Sequence, residues 1–326
     1  MRRWTPLFDE RIEGPRERRP PGEPRSNGPC GGFGAYHRAM LVLRVALVQV
    51  EARDDVDDNI TRAAALASEA AVGADLVVLP EYVQYRGSEA GFRASARAIP
   101  GPTTAPFERV AREHGCWVLA GSHAEVSGDP DRPFNTAVLI DRSGAIAATY
   151  RKLHLFDVAV DDGPSDTESA RVTPGDRAVV ADVDGVGLGL SICYDLRFPE
   201  LYRAVALAGA GVLAVPAVFT ERTGRDHWEV LLRTRAIENG AWVIAAAGCG
   251  PGGPGAIPAW GHSMVVDPWG RIVTQAAMDE GIVRAELDLA AVDAARRQIP
   301  VLANRRPGAL PPARSVEHAS ATRPVP

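Results

Sequence analysis

Lysine is the residue that this sequence most nearly lacks. Lys152 is the single lysine among 36 lysine and arginine residues. A chain that uses arginine at every other basic position is expected to keep a lysine where a wide guanidinium does not fit, because the ammonium group is compact. A surface lysine retained by chance is the alternative, and the residues around Lys152 must decide between the two.

Other absences exclude whole classes of protein. No apolar run reaches the roughly 18 residues of a transmembrane helix, and the start MRRW is not followed by the apolar stretch of a secretion signal. A net charge of -5 gives no indication of a nucleic acid or membrane partner. The four cysteines form no CxxC pair, so neither a disulfide framework nor a metal site is expected. We therefore expect a cytoplasmic protein with reduced thiols and no cofactor.

Composition divides the chain into three parts. Residues 1–38 are rich in Pro, Gly and Arg and lack apolar periodicity, which predicts a disordered N-terminal extension. The alternative is that the segment is not translated and that Met40 is the true start. Residues 40–310 are expected to form the folded domain, and residues 311–326 a loose C-terminal tail.

Within the central part, short β-branched runs alternate with helical stretches. The predicted strands are 43–50, 75–81, 116–122, 134–141, 145–154, 186–195, 211–219, 242–248 and 262–268. The predicted helices are 57–74, 104–115, 199–210 and 225–240. This alternation favours an α/β fold with the helices outside and the sheet inside.

Three ionisable residues lie at or just beyond the ends of apolar strands: Glu81, Lys152 and Cys193. Loops converge at such ends in α/β folds, so the three side chains could share one pocket. A cysteine is a strong nucleophile once deprotonated, a carboxylate can accept its proton, and an ammonium can stabilise an oxyanion. Together they form a complete set for acyl transfer.

Each of the three also has a plain structural interpretation. Cys193 could be an inert core thiol, Glu81 a solvated loop carboxylate, and Lys152 a surface residue. The surrounding motifs argue against these alternatives. They are LPEY around Glu81, YRKLHLFD around Lys152, and SICYDLRFPELYR around Cys193.

These motifs, in this order, resemble those of the nitrilase superfamily, the carbon–nitrogen hydrolases. The resemblance runs from about Leu43 to Arg306. It implies a four-layer αββα sandwich, a thioester intermediate, no metal, and a homodimer or higher homo-oligomer built on that sandwich. CYDLRFPEL, HWEVLLRTRAIE and GHSMVVDPWG are most similar to the Nit branch, which contains deaminated glutathione amidase and omega-amidase.

The resemblance also implies supporting residues. Glu168 lies where this branch places a second glutamate that orients the lysine, although a solvated loop acid is the alternative. The backbone N–H of Tyr194 is expected to help hold the oxyanion. Arg197 is expected to bind a substrate carboxylate, unless it forms a structural ion pair with a nearby acid such as Asp195.

Further residues are candidates for the substrate pocket. The full set of predicted substrate-binding residues is Arg197, Tyr82, Phe156, Phe219, Thr223 and His227. The aromatic members could equally be packing residues.

Two segments depart from the branch. The glycine- and proline-rich residues 248–258 could reshape the rim of the pocket. Residues 158–166 are acidic and would disfavour an anionic substrate if they faced the entrance.

The expected function is that of a Cys-Glu-Lys amidase. It would hydrolyse the terminal carboxamide of a small carboxylate-bearing substrate with release of ammonia, and deaminated glutathione is the favoured substrate. The alternatives are omega-amidase action on 2-oxoglutaramate, N-carbamoyl amidase or nitrilase activity, and a catalytically silent assembly partner.

Overall fold

A computed structural model describes residues 42–161 and 165–309 of the chain. The 1–38 extension, Met40 and the 311–326 tail lie outside these residues. The described strands are β1 Val42–Gln49, β2 Leu76–Val78, β3 Trp117–Glu125, β4 Phe134–Ile140, β5 Ile146–Arg151, β6 Asp157–Ala159, β7 Ser165–Thr167, β8 Val180–Val183, β9 Val186–Leu190, β10 Val212–Ala214, β11 Trp242–Ala245, β12 Cys249–Gly250, β13 Ala259–Trp260, β14 Met264–Val266, β15 Ile272–Gln275 and β16 Gly281–Asp288. The α-helices are α1 Val56–Ala71, α2 Glu89–Ser95, α3 Ala105–His114, α4 Pro199–Leu207, α5 Glu221–Asn239 and α6 Ala290–Gln298.

Two six-stranded sheets carry the fold. The first has the order β16-β1-β2-β3-β4-β5, and the second has the order β15-β14-β11-β10-β9-β8. In each sheet the three central strands are parallel: β1, β2 and β3 in the first, and β9, β10 and β11 in the second. The flanking pairs are antiparallel, including the predicted hairpin of β4 and β5.

The alternation along β1 shows how the layers stack. Val45 and Leu47 belong to a core cluster that also contains Leu188 and Leu190 of β9, so this core lies between the two sheets. Ala46 and Val48 point to the other face, because successive side chains of a strand alternate. They pack in a second cluster together with residues of α1 and α3.

The second sheet is covered in the same way. α4 contacts β9, and α5 contacts β11. Trp228 of α5 is only 1 % exposed and packs in the core. The order of layers is therefore helix, sheet, sheet, helix, which confirms the predicted αββα sandwich.

One predicted strand ends earlier than expected. The run 186–195 was predicted to be a strand up to its last residue, but β9 ends at Leu190 and a 3-10 helix spans Cys193–Arg197. Cys193 has a φ of 47°, which a strand cannot contain. The apolar character of the run continues because the turn itself is buried, with Leu196 fully inaccessible.

Candidate active site

Glu81 follows β2 and is held from three directions. Its Oε1 accepts hydrogen bonds from Lys152 Nζ and from Asn135 Nδ2, both at 2.9 Å. Its Oε2 accepts one from the backbone N–H of Val218 at 2.9 Å. The carboxylate is 2 % exposed, so the solvated-loop alternative is wrong.

The backbone before Glu81 is shaped by a close approach of β3. A Cβ on Gly121 would lie 2.0 Å from the carbonyl oxygen of Pro80, so only glycine fits there. Ser122 then donates its N–H to Pro80 O and accepts the Tyr82 N–H on its Oγ, at 3.2 and 3.0 Å. These contacts direct Glu81 towards the second sheet.

Lys152 directly follows β5 and is buried between two carboxylates. Its Nζ lies 2.9 Å from Glu81 Oε1 and 2.9 Å from Glu168 Oε2, and the lysine side chain is 2 % exposed. Glu168 also accepts the Tyr82 hydroxyl and the Phe156 N–H, the latter at 2.6 Å. Lys152 is therefore not a surface residue, and Glu168 is not a solvated loop acid.

Cys193 opens the 3-10 helix after β9, and Asp195 anchors that turn. Asp195 is fully buried, and its carboxylate accepts hydrogen bonds from Tyr150 Oη at 2.7 Å, Ile192 N at 2.9 Å, and both the N–H and Nδ1 of His154 at 3.0 and 2.7 Å. These bonds tie the turn to the segment after β5, which also carries Lys152.

The first backbone amides of the turn differ in their bonding. The Cys193 N–H donates to Pro216 O at 2.9 Å. The Tyr194 N–H has no acceptor among the described residues. It is therefore free to donate to a ligand placed next to the cysteine.

The charges of the cluster follow from its burial. Burial and the nearby Glu81 carboxylate raise the pKa of the Cys193 thiol well above its usual value, although Lys152 opposes this. Burial alone would lower the pKa of Lys152, but Glu168 and Glu81 raise it well above its usual value. Burial would raise the pKa of Glu168, but Lys152 and the Tyr82 hydroxyl lower it. The resting site thus holds a neutral thiol, an ammonium and at least one carboxylate.

These groups line one cavity of about 300 Å³. Of the predicted pocket residues, the structure places Tyr82, Phe156, Phe219 and Thr223 in its lining together with Glu81, Lys152, Glu168, Cys193 and Tyr194. The size is at the lower end for a small-molecule site. The buried catalytic-type side chains form its inner part, and exposed residues such as Glu89 and Gly255 form its mouth.

Arg197 and His227 are not in that lining. They contact each other, with Arg197 Nη1 3.3 Å from His227 Nδ1. The guanidinium lies 5.2 Å from the centre of the Phe219 ring and 5.8 Å from that of Tyr194. The expected alternative of an Arg197–Asp195 ion pair is wrong, because Asp195 is bonded to Tyr150 and His154 instead.

The two segments that depart from the branch both reach the cavity. Ser165 and Asp166 of the acidic 158–166 segment line it. The charge of Asp166 is balanced by a bidentate ion pair with Arg171, at 2.5 and 2.8 Å. Gly255, Ala256 and Ile257 line it from the 248–258 segment.

Asn135 and Arg86 were not predicted from the sequence. Asn135 lies in the apolar strand β4 and is fully buried. An amide within an apolar run is the sequence signal that could have indicated it, because a buried polar group needs a hydrogen-bond partner. Arg86 is 6 % exposed and also lines the cavity. Among the described residues, no group of three His, Cys, Asp or Glu side chains could hold a metal ion.

The comparison with known families decides the identity. Residues 44–297 match the carbon–nitrogen hydrolase family. The chain belongs to that family. Carbon–nitrogen hydrolases of this kind act on non-peptide bonds in linear amides, and the chain is a hydrolase of this class.

Relatives of this carbon–nitrogen hydrolase carry amidase names. A deaminated glutathione amidase of Synechocystis sp. is 42% identical over 264 residues, covering 80% of this chain and 97% of the relative. Omega-amidase NIT2 of Mus musculus is 37% identical over 268 residues, covering 82% and 96%. The crystal structure of the C. elegans NitFhit protein matches with a TM-score of 0.77 and 35% identity, covering 84% of this chain and 67% of that one. These matches confirm the Nit-branch resemblance.

No α-helix in the described parts of this carbon–nitrogen hydrolase is both long and apolar enough to cross a bilayer.

Proposed function

We propose that this hydrolase cleaves amides through a Cys193 thioester, with Glu81 as the proton carrier and Lys152 as the oxyanion-binding cation. The observation that carries the proposal is the buried ammonium held at 2.9 Å from both Glu81 and Glu168 in the cavity that Cys193 lines. Burying charges of this kind costs free energy, and such groups are concentrated at functional sites.

Acylation begins with a neutral thiol. Because burial keeps the pKa of Cys193 high, Glu81 takes the thiol proton as the sulfur attacks the amide carbon. The carbonyl oxygen becomes an oxyanion, which accepts hydrogen bonds from Lys152 Nζ and the Tyr194 N–H. The C–N bond then breaks, and Glu81 passes its proton to the departing amine.

Deacylation uses the same groups in reverse. Glu81 takes a proton from a water molecule, whose oxygen attacks the thioester carbon. The second oxyanion accepts hydrogen bonds from the same two donors. The C–S bond breaks, the carboxylic acid forms, and the proton returns to the Cys193 sulfur.

We favour deaminated glutathione as the substrate and 2-oxoglutaramate as the second candidate. Sequence identity to the Synechocystis deaminated glutathione amidase is 42%, against 37% to the mouse omega-amidase. Both substrates would give the same five-carbon acyl group on Cys193, and they differ only in the amine that leaves. Ammonia is the product from 2-oxoglutaramate alone, because the γ-carbonyl of deaminated glutathione is bonded to cysteinylglycine. The expectation that the favoured substrate carries a terminal carboxamide and releases ammonia is therefore wrong, since deaminated glutathione would release the dipeptide.

Arg197 remains our candidate for the substrate carboxylate, with His227 beside it. The other arginines at the cavity already have partners: Arg171 is paired with Asp166, and Arg86 donates to backbone carbonyls. Arg197 has no carboxylate within 4 Å in the described chain. Its guanidinium lies 5.8 Å from the centre of the Tyr194 ring and 5.2 Å from that of Phe219, and both rings line the cavity.

Other functions predict other behaviour. An N-carbamoyl amidase would release carbon dioxide and ammonia from N-carbamoyl amines, and a nitrilase would hydrolyse nitriles. A catalytically silent assembly partner would hydrolyse nothing.

The test is 2-oxoglutarate release from deaminated glutathione and 2-oxoglutaramate, with Cys193→Ala as the blank. Turnover of the first with higher kcat/KM supports the favoured substrate, and the reverse order assigns omega-amidase action. Turnover of neither by folded protein contradicts both assignments.

We also propose a homodimer or higher homo-oligomer in the cytoplasm. Val230 and Ile237 of α5 are 63% and 52% exposed, and Trp269, which is 43% exposed, directly precedes Gly270, which lies against Ile237. Apolar groups of this size on one face favour an interface. A monomeric mass in light scattering would contradict the proposal.

A further inference from the structure

A loop with few side chains of its own to pack forms part of the mouth of the cavity. We define the mouth loop as residues 251–258, which connect β12 to β13 and have the sequence PGGPGAIP. Three of its residues are glycine and three are proline. Glycine backbones lose the most entropy on ordering, and only Ala256 and Ile257 offer other side chains. The loop has one internal backbone hydrogen bond, from the Ala256 N–H to Gly253 O at 3.0 Å, so most of its order must come from contacts outside it.

Arg86 supplies that order. Its Nη1 donates to Cys249 O at 2.9 Å, and its Nη2 donates to Ile257 O at 2.7 Å. One guanidinium thus joins the strand before the mouth loop to the far end of the loop. The carbonyl oxygen of Arg86 also accepts the Gly253 N–H at 3.0 Å, so the same residue holds the middle of the loop.

Arg86 is itself fixed relative to the reacting groups. It lies five residues after Glu81 in the same segment, and its N–H donates to Arg53 O at 2.9 Å. Glu51 adds a second anchor by accepting the Gly252 N–H at 3.0 Å. The loop therefore has a defined position relative to the scissile bond.

The position of the loop indicates which part of a substrate it meets. Gly255 is exposed, whereas Glu81, Lys152 and Cys193 are buried, so the loop lies at the mouth of the cavity. The acyl group must stay inside until water has cleaved the thioester. The amine must leave through the mouth after the first step.

We propose that Arg86 is a positioning residue that holds the mouth loop as a preformed wall for the leaving amine, and so selects amides with a large amine portion. The inference rests on the proposed function, because it takes the acyl group to be common to the two candidate substrates. A preformed wall lowers the ordering cost of binding a large amine. It does nothing for an amide whose amine portion is only NH₂.

The experiment compares Arg86→Met and Arg86→Lys with a matched control, Arg284→Met. Arg284 likewise donates to backbone carbonyl oxygens, those of Glu69, Ala70 and Val72, but it lies outside the cavity lining. We expect R86M to raise KM for deaminated glutathione about tenfold or more, with kcat and KM for 2-oxoglutaramate within about twofold of the original values. R86K should recover part of the loss, because an ammonium donates to carbonyls without spanning them all. R284M should leave kcat and KM unchanged for both substrates.

Two further measurements test the role of the mouth loop even if R86M folds poorly. Ala256→Phe leaves Arg86 and its acceptors in place but narrows the mouth, so it should raise KM for deaminated glutathione selectively. Hydrogen exchange should accelerate at residues 249–258 in R86K and R86M, and not in R284M.

The contrary results are distinct. An equal fall in kcat for both substrates would show a general structural role and overturn selection of the amine. Unchanged exchange at 249–258 would overturn the positioning role. If the unmodified protein cleaves neither amide, the proposed function and the leaving-amine selection fail together, whereas the exchange data still decide whether Arg86 holds the loop.

Discussion

At the scale of single residues, the site depends on one compact cation. Lys152 Nζ lies 2.9 Å from a carboxylate oxygen of Glu81 and 2.9 Å from one of Glu168. Each of the three side chains is only 2 % exposed. Two carboxylates so close together would repel each other without the ammonium between them. The chain uses arginine at all its other basic positions, and here a planar fork would displace one of the two glutamates.

Lys152→Arg is therefore expected to abolish most turnover although the charge is kept. Losing one oxyanion donor costs roughly 10²-fold or more in kcat, and displacement of Glu81 would add to this. The measurement is amide turnover alongside circular dichroism, which should show a retained fold. Undiminished turnover would remove Lys152 from the mechanism.

Tyr82→Phe tests whether the hydrogen bond from Tyr82 keeps Glu168, the partner of Lys152, ionised. The Tyr82 hydroxyl donates to Glu168 and helps to lower the pKa of that carboxyl. Without it the pKa of Glu168 rises, so the carboxylate is protonated at a higher pH, and the acid limb of kcat should move up by as much as about one pH unit. Tyr85→Phe is the matched control, because Tyr85 lines the same cavity without contacting Glu168. An equal effect of both variants would contradict the account.

At the scale of elements, the nucleophile depends on a turn and not on a strand. Cys193 has a positive φ, and four hydrogen bonds to the buried Asp195 hold the turn that follows. Such strain persists only where the surroundings impose it.

Asp195→Asn should destabilise the fold and lower kcat together. The new amide nitrogen would face N–H and O–H donors that need an acceptor. This should lower the free energy of unfolding by about 2 kcal/mol or more. Tyr150→Phe removes only one of those donors, with an expected cost of about 1 kcal/mol. Urea unfolding and turnover measure both effects, and a fully active, stable D195N protein would contradict the role of Asp195.

The sequence predicted elements well where periodicity was strong. The runs that became β1, α1, α3 and α5 were located within a few residues. The strand ending in Cys193 was extended too far, because a buried turn and a buried strand are equally apolar. The short strands of β6, β7, β12 and β13 were not predicted, since their pairing partners, and not their composition, define them.

For the site, the sequence indicated residues whose chemistry is carried by the side chain. It identified Glu81, Lys152, Cys193 and Glu168, and the structure brings them together in one cavity. It could not indicate Arg86, because the partners of that guanidinium are backbone carbonyls that lie 163 to 171 residues away. It likewise could not show that Arg197 and His227 contact each other outside the cavity lining.

At the scale of the whole molecule, the two sheets must pack correctly for the site to exist. Glu81 and Lys152 come from the first sheet, whereas Cys193 and the Val218 N–H come from the second. Glu81 Oε2 bonds to Val218 N at 2.9 Å across that junction. Loss of packing between the sheets would therefore separate the nucleophile from its base before either sheet unfolds.

The start of the chain gives a prediction at the same scale. β1 begins at Val42, and the family match begins at residue 44. A chain that starts at Met40 is therefore expected to keep the melting temperature and kcat/KM of the full chain, as differential scanning fluorimetry and turnover would show. A large loss of either would assign residues 1–38 a part in the fold or the site.

The central claim is that one thioester on Cys193 serves both candidate substrates, and partitioning with hydroxylamine tests it most directly. Deaminated glutathione and 2-oxoglutaramate would form the same acyl group on Cys193, so water and hydroxylamine would compete for a single intermediate. The account predicts the same ratio of hydroxamate to 2-oxoglutarate from the two amides, and no product from Cys193→Ala. Ratios that differ between the amides, or product formed by Cys193→Ala, would contradict it.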